Sequence, residues 1–458
     1  MSYTILDQIV FYKKNWILNK QKKISINTLK SNIQISERNF YKSIYNNKNR
    51  PFFIFEYKPA SPSKGIIHHN PNPINIAHIY KNYATIISVV TDEKYFHGHF
   101  NILTQIRNVV TQPILCKDFF ISEWQVYFAR FHKADAILLM LSIIDNNMYR
   151  RLTHIAHSLN MGVLTEITNE QELNRAILLN AKVIGINNRN LHDLSIDLHR
   201  TIHLSKNIPN SIIKISESGI NKYHTIKQLQ QYVNGFLIGT ILMSSQQLLY
   251  MTINKLILGE NKICGLTRIE DANISYKSGA IYGGLIFVKN SPRYINMLTA
   301  TNITSTVHNL YYVGVFCNEK IYNIINIVKT LNLSVVQLHG SEDQSYINQL
   351  RTYLPNTCKI WKSINMNIKP SSMINLLNVD RYLLDNKIGG SGKTFNWNNI
   401  INININKSIL SGGLTINNCL KASKLGCSGL DFNSGIEIQP GIKDHQAIKK
   451  IFQILRNH

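Results

Sequence analysis

No apolar run in these 458 residues approaches the roughly 20 consecutive residues that a membrane-spanning helix needs. The first residues, Met1-Ser2-Tyr3-Thr4-Ile5-Leu6-Asp7, lack the charged-then-apolar pattern of a secretory signal, so the expectation is a cytoplasmic protein without a membrane partner. Cysteine is sparse. The six residues at 116, 264, 317, 358, 419 and 427 form no CxxC pair and no Cys/His cluster at zinc-ligand spacing. Reduced thiols are expected rather than a disulfide framework. His68-His69 and His97-Gly98-His99 are patterns that can bind a metal, but neither brings further ligands nearby, so no metal is expected. A GxGxxG fingerprint after the first strand is missing from both halves, which argues against dinucleotide binding.

Acidic residues are also few: 26, against 50 Lys and Arg, for a formal net charge of +24. Such an excess is the usual footprint of a nucleic-acid partner. Here, though, Lys and Arg are spread through both halves without a long basic block. Asn, Ile and Lys recur everywhere, including Asn402-Ile403-Asn404-Ile405-Asn406. A drift of composition over the whole chain accounts for this better than selection for nucleic acid. A nucleic-acid binder would cluster its cations with interleaved aromatics on one face, and no such cluster is visible. The residual field still favours capture of anionic small molecules.

The chain is too long for one ordinary core, and 44% hydrophobic residues suit a folded globular protein. Residues 1–50 read as mainly helical, with Ile5, Ile9, Val10, Tyr12, Trp16 and Leu18 as apolar positions. A rhythm of short apolar run, polar residues and amphipathic stretch then begins. Strands are expected at 53–56, 86–90, 114–116, 136–141, 162–165, 183–186, 212–215 and 235–238. After 256–260 the rhythm restarts, with strands at 263–265, 282–287, 312–316, 335–338, 359–361, 382–384, 409–411 and 429–431. Twice eight strands with room for crossover helices fit an α/β chain of two (βα)8 barrels in tandem, the first with an N-terminal helical extension. The expected domains are 1–255 and 256–458, joined by a largely helical segment near 245–260. Two open doubly wound sheets are the alternative.

Barrel active sites gather at the C-terminal ends of the strands. In the first half Glu56 and Lys58 share one face of strand 1, and Lys117, Glu166, Asn187 and Glu217 follow strands 3, 5, 6 and 7. Any one alone reads as a surface ion pair; five at successive strand ends read as a proton-transfer site in which the groups perturb one another. Ser61, in the loop after strand 1, is a substrate-binding candidate. Ser218-Gly219 and Gly239-Thr240 end strands 7 and 8, where backbone N–H groups can face phosphate, although glycines there can also serve only tight turns. In the second half Cys264 ends strand 1 and Asp385 ends strand 6, a thiolate and a carboxylic acid able to act as base and acid on a sugar carbon. Gly389-Gly390-Ser391-Gly392-Lys393 is a candidate cover loop. Gly412, Gly413, Asp431, Asn433 and Ser434 form a second phosphate corner. Arg293 is either a partner for a substrate carboxylate or a surface arginine.

The segments Glu-Tyr-Lys at 56–58, Ser-Pro-Ser-Lys-Gly at 61–65, Leu-Cys-Lys-Asp-Phe at 115–119, Gly-Ile-Asn-Asn-Arg at 185–189 and Ser-Glu-Ser-Gly-Ile at 216–220 make roughly 1–255 resemble indole-3-glycerol phosphate synthases. The resemblance implies closure of 1-(2-carboxyphenylamino)-1-deoxyribulose 5-phosphate to the indole, with loss of CO2 and water. Lys117 would be the leading general acid at the substrate carbonyl, a role Lys58 could share. Glu166 would assist dehydration, while Glu56, Lys58, Asn187 and Glu217 orient substrate and stabilise charge. Pro59 stands where the family usually has a basic residue, and Asn190 where it has Asp. Residues 256–458 look like phosphoribosylanthranilate isomerases through Lys-Ile-Cys-Gly-Leu-Thr-Arg at 262–268, Val-Gln-Leu-His-Gly at 336–340, the Gly-Gly-Ser-Gly loop and Asp-Phe-Asn-Ser-Gly-Ile-Glu at 431–437. That implies an Amadori rearrangement, with Asp385 protonating the ring oxygen and Cys264 removing the C2′ proton. The product would be the first barrel's substrate. The whole is then expected to be a cofactor-free monomer acting on small phosphorylated anthranilates. The competing readings are a chain with one active barrel and a degenerate partner, and the basic nucleic-acid binder.

Overall fold

The computed structural model describes residues 4–47, 51–190, 193–245, 248–367, 375–386, 392–400 and 403–456. The chain divides into two compact units, 1–252 and 253–458. Each contains one closed, all-parallel eight-stranded barrel. In the first, the strands are β1 (Phe52–Tyr57), β2 (Ile86–Val90), β3 (Ile114–Lys117), β4 (Ala136–Met140), β5 (Gly162–Ile167), β6 (Val183–Asn187), β7 (Ile213–Glu217) and β8 (Gly235–Ile238). Closure comes from β1, which pairs with β8 through Phe52↔Gly235 and with β2 through Ile54↔Ile86. In the second they are β9 (Lys262–Ile263), β10 (Tyr282–Ile286), β11 (Tyr311–Phe316), β12 (Val335–Leu338), β13 (Lys359–Asn365), β14 (Arg381–Asp385), β15 (Ser408–Leu410) and β16 (Gly429–Phe432). There β9 closes the ring, with Lys262 opposite Tyr282 on one side and Asp431 on the other.

All sixteen expected strands are present, shifted by a few residues at their ends. Most of the shifts carry the same message. Lys117, Asn187 and Glu217 are the last residues of their strands and Glu166 is next to last, rather than residues after them. Period-2 alternation therefore turns each polar side chain into the barrel, beyond the point where the apolar run stops. The expected strand at 263–265 is shorter, yet the Cys264 amide still donates to Phe432 O at 2.8 Å, so the sulfur's position is set by the ladder.

Ahead of the first barrel lie α1 (Ile5–Gln21), α2 (Ile26–Asn32) and α3 (Phe40–Tyr45). A capping box starts α1: the Asp7 amide donates to Thr4 Oγ1 at 3.2 Å and the Thr4 amide to Asp7 Oδ2 at 3.0 Å. Its buried stripe is Leu6, Ile9, Lys13, Trp16 and Ile17, spaced for one helical face. Lys13 breaks the apolar pattern because two carboxylates receive it, Asp92 at 2.8 Å and Asp118 at 2.6 Å, all three groups essentially inaccessible to water. Removing one partner of a buried ion network costs about 3–5 kcal/mol. Lys13→Met, which strands two buried carboxylates, is expected to lose that much, read as a lower urea midpoint for loss of the first barrel's activity; an unchanged midpoint would show that the network carries no such weight.

Candidate active sites

In the first unit the strand ends open into a cavity of about 590 Å³. Glu56, Lys58, Lys117, Glu166 and Asn187 line it, as do Ser61 and the pairs Ser218-Gly219 and Gly239-Thr240. Lys117 is the centre of the charge. Its ammonium lies 3.7 Å from Glu56 Oε2, 3.7 Å from Glu166 Oε2, and in direct contact with Glu217. Lys58 Nζ pairs with Glu56 at 2.7 Å, and Asn187 Nδ2 donates to Glu166 at 3.1 Å. Burial pulls the Lys117 pKa down, but Glu217, Glu56 and Glu166 outweigh it, and the ammonium is held charged. For Glu56 the two lysines outweigh burial and its carboxyl sits below the usual range. Glu166 goes the other way: burial and the neighbouring Glu217 push it up despite Lys117. Two carboxylates on one cation are thus driven to different protonation states.

Glu217 departs from the expectation that it orients substrate. It does not line the cavity and lies buried behind Lys117, so what it orients is the lysine. The phosphate corner has the expected backbone. Ser218 and Gly219 adopt φ of 65° and 81°, a left-handed pair costly for serine, and Gly239 precedes the short helix Thr240–Met243. A Cβ on Gly239 would stand 2.4 Å from Glu56 Oε1 and 3.0 Å from Glu56 Cβ, so this glycine makes room for the Glu56 side chain.

Sequence reasoning missed the contribution of α1. Ile5, Leu6 and Ile9 form part of the cavity's apolar wall, with Phe119 and Leu138. It also missed the strut beneath Lys117: Asp118 accepts from Thr91 Oγ1 at 2.6 Å and from the Phe119 amide at 2.7 Å while holding Lys13. The two family departures are accommodated. The buried Pro59 accepts backbone hydrogen bonds from Ile67 and His68, closing the hairpin of Ala60–Ser61 and Gly65–Ile66. Asn190 hydrogen-bonds Asp193, where an aspartate would be repelled.

The second unit's mouth holds a cavity of about 210 Å³. Cys264 and Asp385 both line it, with Arg293, Asp431, Asn433 and Ser434, and with Gly412-Gly413. Burial pushes the Asp385 carboxyl up, against hydrogen bonds from the Asn386 amide at 2.7 Å and Ser411 Oγ at 3.2 Å. A raised carboxyl keeps its proton further toward neutrality, as a general acid requires. His339, quoted within a motif but given no role, lines the same cavity with Nε2 3.8 Å from Asp385 Oδ2. Burial takes its pKa down to about 4, so the ring is neutral beside the acid. Gly412 and Gly413 are both left-handed, with φ of 84° and 60°.

Arg293 is neither a surface residue nor free. It forks onto Glu437 through Nε at 3.0 Å and Nη2 at 2.7 Å, and Glu437 also takes Lys443 at 2.6 Å. Asp431, grouped with the phosphate corner, is ion-paired with the buried Lys262 at 2.9 Å, a poor arrangement for a phosphate ligand; Gly412-Gly413, Asn433 and Ser434 line the same cavity. The Gly389-Gly390-Ser391 part of the cover loop lies outside the described residues, while Gly392 lines the cavity. Among the described residues no group of three His, Cys, Asp or Glu could hold a metal, and no helix is long and apolar enough to cross a membrane.

Residues 6–255 match the family model described as indole-3-glycerol phosphate synthase, and residues 261–454 match that described as N-(5'phosphoribosyl)anthranilate (PRA) isomerase. Curated relatives extend over essentially the whole length. A protein of Buchnera aphidicola subsp. Diuraphis noxia is 54% identical over 458 residues, covering 100% of both chains. One of Yersinia pestis is 50% identical over 453 residues, covering 99% of this chain and 94% of the relative. One of Haemophilus influenzae is 47% identical over 463 residues, covering 98% and 97%. All three are named "Tryptophan biosynthesis protein TrpCF".

Proposed function

Because the chain belongs to the indole-3-glycerol phosphate synthase family over its first barrel and to the PRA isomerase family over its second, we propose an assignment of residues to the steps of a two-reaction sequence. The chain is a bifunctional tryptophan-biosynthesis enzyme, a decarboxylating lyase joined to an isomerase. The domains are 1–255 for the synthase and 256–458 for the isomerase. The second barrel acts first, converting N-(5'-phosphoribosyl)anthranilate to 1-(2-carboxyphenylamino)-1-deoxyribulose 5-phosphate. The first barrel closes that ketose to indole-3-glycerol phosphate, releasing CO2 and water.

In the isomerase, Asp385 gives its proton to the ring oxygen as the ribose opens to the Schiff base. Cys264, as thiolate, removes the C2′ proton, and the resulting enol becomes the ketone. Arg293, held by Glu437, meets the anthranilate carboxylate, and the Gly412-Gly413, Asn433 and Ser434 corner meets the phosphate. In the synthase, Lys117 donates to the ketone oxygen during ring closure. Glu166, kept protonated by burial and by Glu217, serves the later dehydration, with Asn187 holding its carboxyl. Glu56 and Lys58 orient the substrate at the rim. Phosphate lies against Ser218-Gly219 and Gly239-Thr240, and Ser61 reaches the substrate from the hairpin. The protein works in the cytoplasm as a monomer, without a cofactor, metal or nucleic-acid partner.

The observation that carries this reading is the single ammonium of Lys117 among three carboxylates, one of which is driven toward its protonated form. Purified protein given phosphoribosylanthranilate should release CO2 and form indole-3-glycerol phosphate in equal amounts. Ketose phosphate accumulating without CO2 would mean that only the second barrel is active.

A further inference from the structure

Cys264 has a buried neighbour that the assignment above leaves without a task. Lys262 lies two residues earlier on β9, so its side chain points into the barrel on the same side as the thiol, one layer deeper. It is completely buried, its ammonium pairs with Asp431 Oδ2 at 2.9 Å, and Cys264 is among the groups that act on its charge. The space they share is made by Gly284 on β10. A Cβ there would come within 2.8 Å of Cys264 Sγ and 2.9 Å of Lys262 Cε. As a purely structural element the pair is a poor one, because desolvating two ions offsets most of their attraction. Asp431 Oδ1, moreover, is buried without a hydrogen-bond partner at the cavity wall.

We propose that the Lys262–Asp431 pair is what makes Cys264 a usable base: the ammonium stabilises the thiolate, and Asp431 keeps the ammonium in place and charged. Lys262 is then a positioning residue, and the inference rests on Cys264 being the base. The proton count closes. Asp385 loses a proton to the ring oxygen, the thiolate gains one from C2′, and one proton passing from thiol to carboxylate through solvent resets the site. No new bond to sulfur is needed.

The groups facing Cys264 are Lys262 on β9 just before it, Asp431 on β16 and Lys443 on the hairpin of Glu437–Gln439 and Ile442–Lys443, with Asp385 and His339 elsewhere on the cavity wall. Burial pushes the thiol up, and Lys262 is the largest influence against it. Asp431 acts in the same direction as burial but more weakly than Lys262 opposes it.

The test is Lys262→Met in the full chain, with alkylation of Cys264 by iodoacetamide followed against pH from the mass of its peptide. The midpoint should move alkaline by about one unit or more, equivalent to about a tenfold loss of thiolate at neutral pH. Isomerase kcat should fall by a similar factor with KM nearly unchanged, and the thiol limb of its pH profile should move with the alkylation midpoint. The double variant Lys262→Met/Asp431→Asn removes both charges, so no buried ion is left unpaired and folding is retained; because Asp431 opposes Lys262 at the thiol, it should show a smaller shift in the same alkaline direction. An unmoved alkylation midpoint in the double variant overturns the proposal itself. A moved midpoint with an unmoved isomerase profile instead overturns Cys264 as the base, and the pair's proposed purpose falls with it.

Discussion

Lys117→Ala should reduce indole-3-glycerol phosphate formation by at least about 10³-fold, within the range lost when a positioned proton donor is removed, while isomerisation continues at the wild-type rate. The expected size follows from the surroundings of the ammonium rather than from its donor role alone. Glu56, Glu166 and Glu217 converge on it from β1, β5 and β7. Without it three carboxyl groups face one another in a buried mouth, and mutual repulsion must drive at least one more of them to hold a proton. The site loses its donor and its preorganised field together. Lys58 remains paired with Glu56 at the rim, and it is not expected to replace Lys117, since among the described ion pairs no contact joins it to Glu166 or Glu217. Feeding ketose phosphate to the variant isolates the first reaction; feeding phosphoribosylanthranilate and measuring ketose isolates the second. Equal loss of both activities in a folded variant would argue against two separate sites.

Both barrels were legible because their signal is local. Each strand is a short apolar run, each catalytic candidate sits where the run stops, and Rossmann-type punctuation is missing. Strand ends were less legible, since a buried Glu or Lys at the last inward position looks like the start of a loop. Lys117 and Glu166 show why the structure extends the strand through them: each keeps its ladder hydrogen bonds while its side chain turns into the mouth. Least legible were contacts joining distant segments. Nothing around Lys13 announces that Asp92 and Asp118 will receive it, and a lysine in an apolar stripe reads as noise until the fold brings those carboxylates in. Arg293 and Glu437 stand 144 residues apart, so the choice between exposed and engaged arginine had no local answer. Lys262 and Asp431 were each within a quoted motif, but only ring closure between β9 and β16 makes them register neighbours.

The same ring closure bears on the second large effect, the loss of isomerisation in Asp385→Asn and in Cys264→Ala, each expected at about 10²–10⁴-fold with the synthase reaction on supplied ketose phosphate intact. Asparagine preserves the shape at Asp385, and its one oxygen can still accept from the Asn386 amide while its amide group faces the Ser411 hydroxyl, so the barrel is expected to fold without the acidic proton. The pH dependence makes the test sharper. The working state needs a protonated Asp385 together with an ionised Cys264. Burial raises both groups, which prolongs the carboxyl's protonated form as pH rises and delays the thiol's ionisation. Wild-type kcat/KM should therefore follow a bell, its limbs belonging to the coupled pair. With Asp385→Asn the residual rate should only rise with pH, because the one group whose ionisation shuts the reaction down no longer titrates. A bell that persists in that variant, or a wild-type rate in either variant, would remove the altered residue from the mechanism.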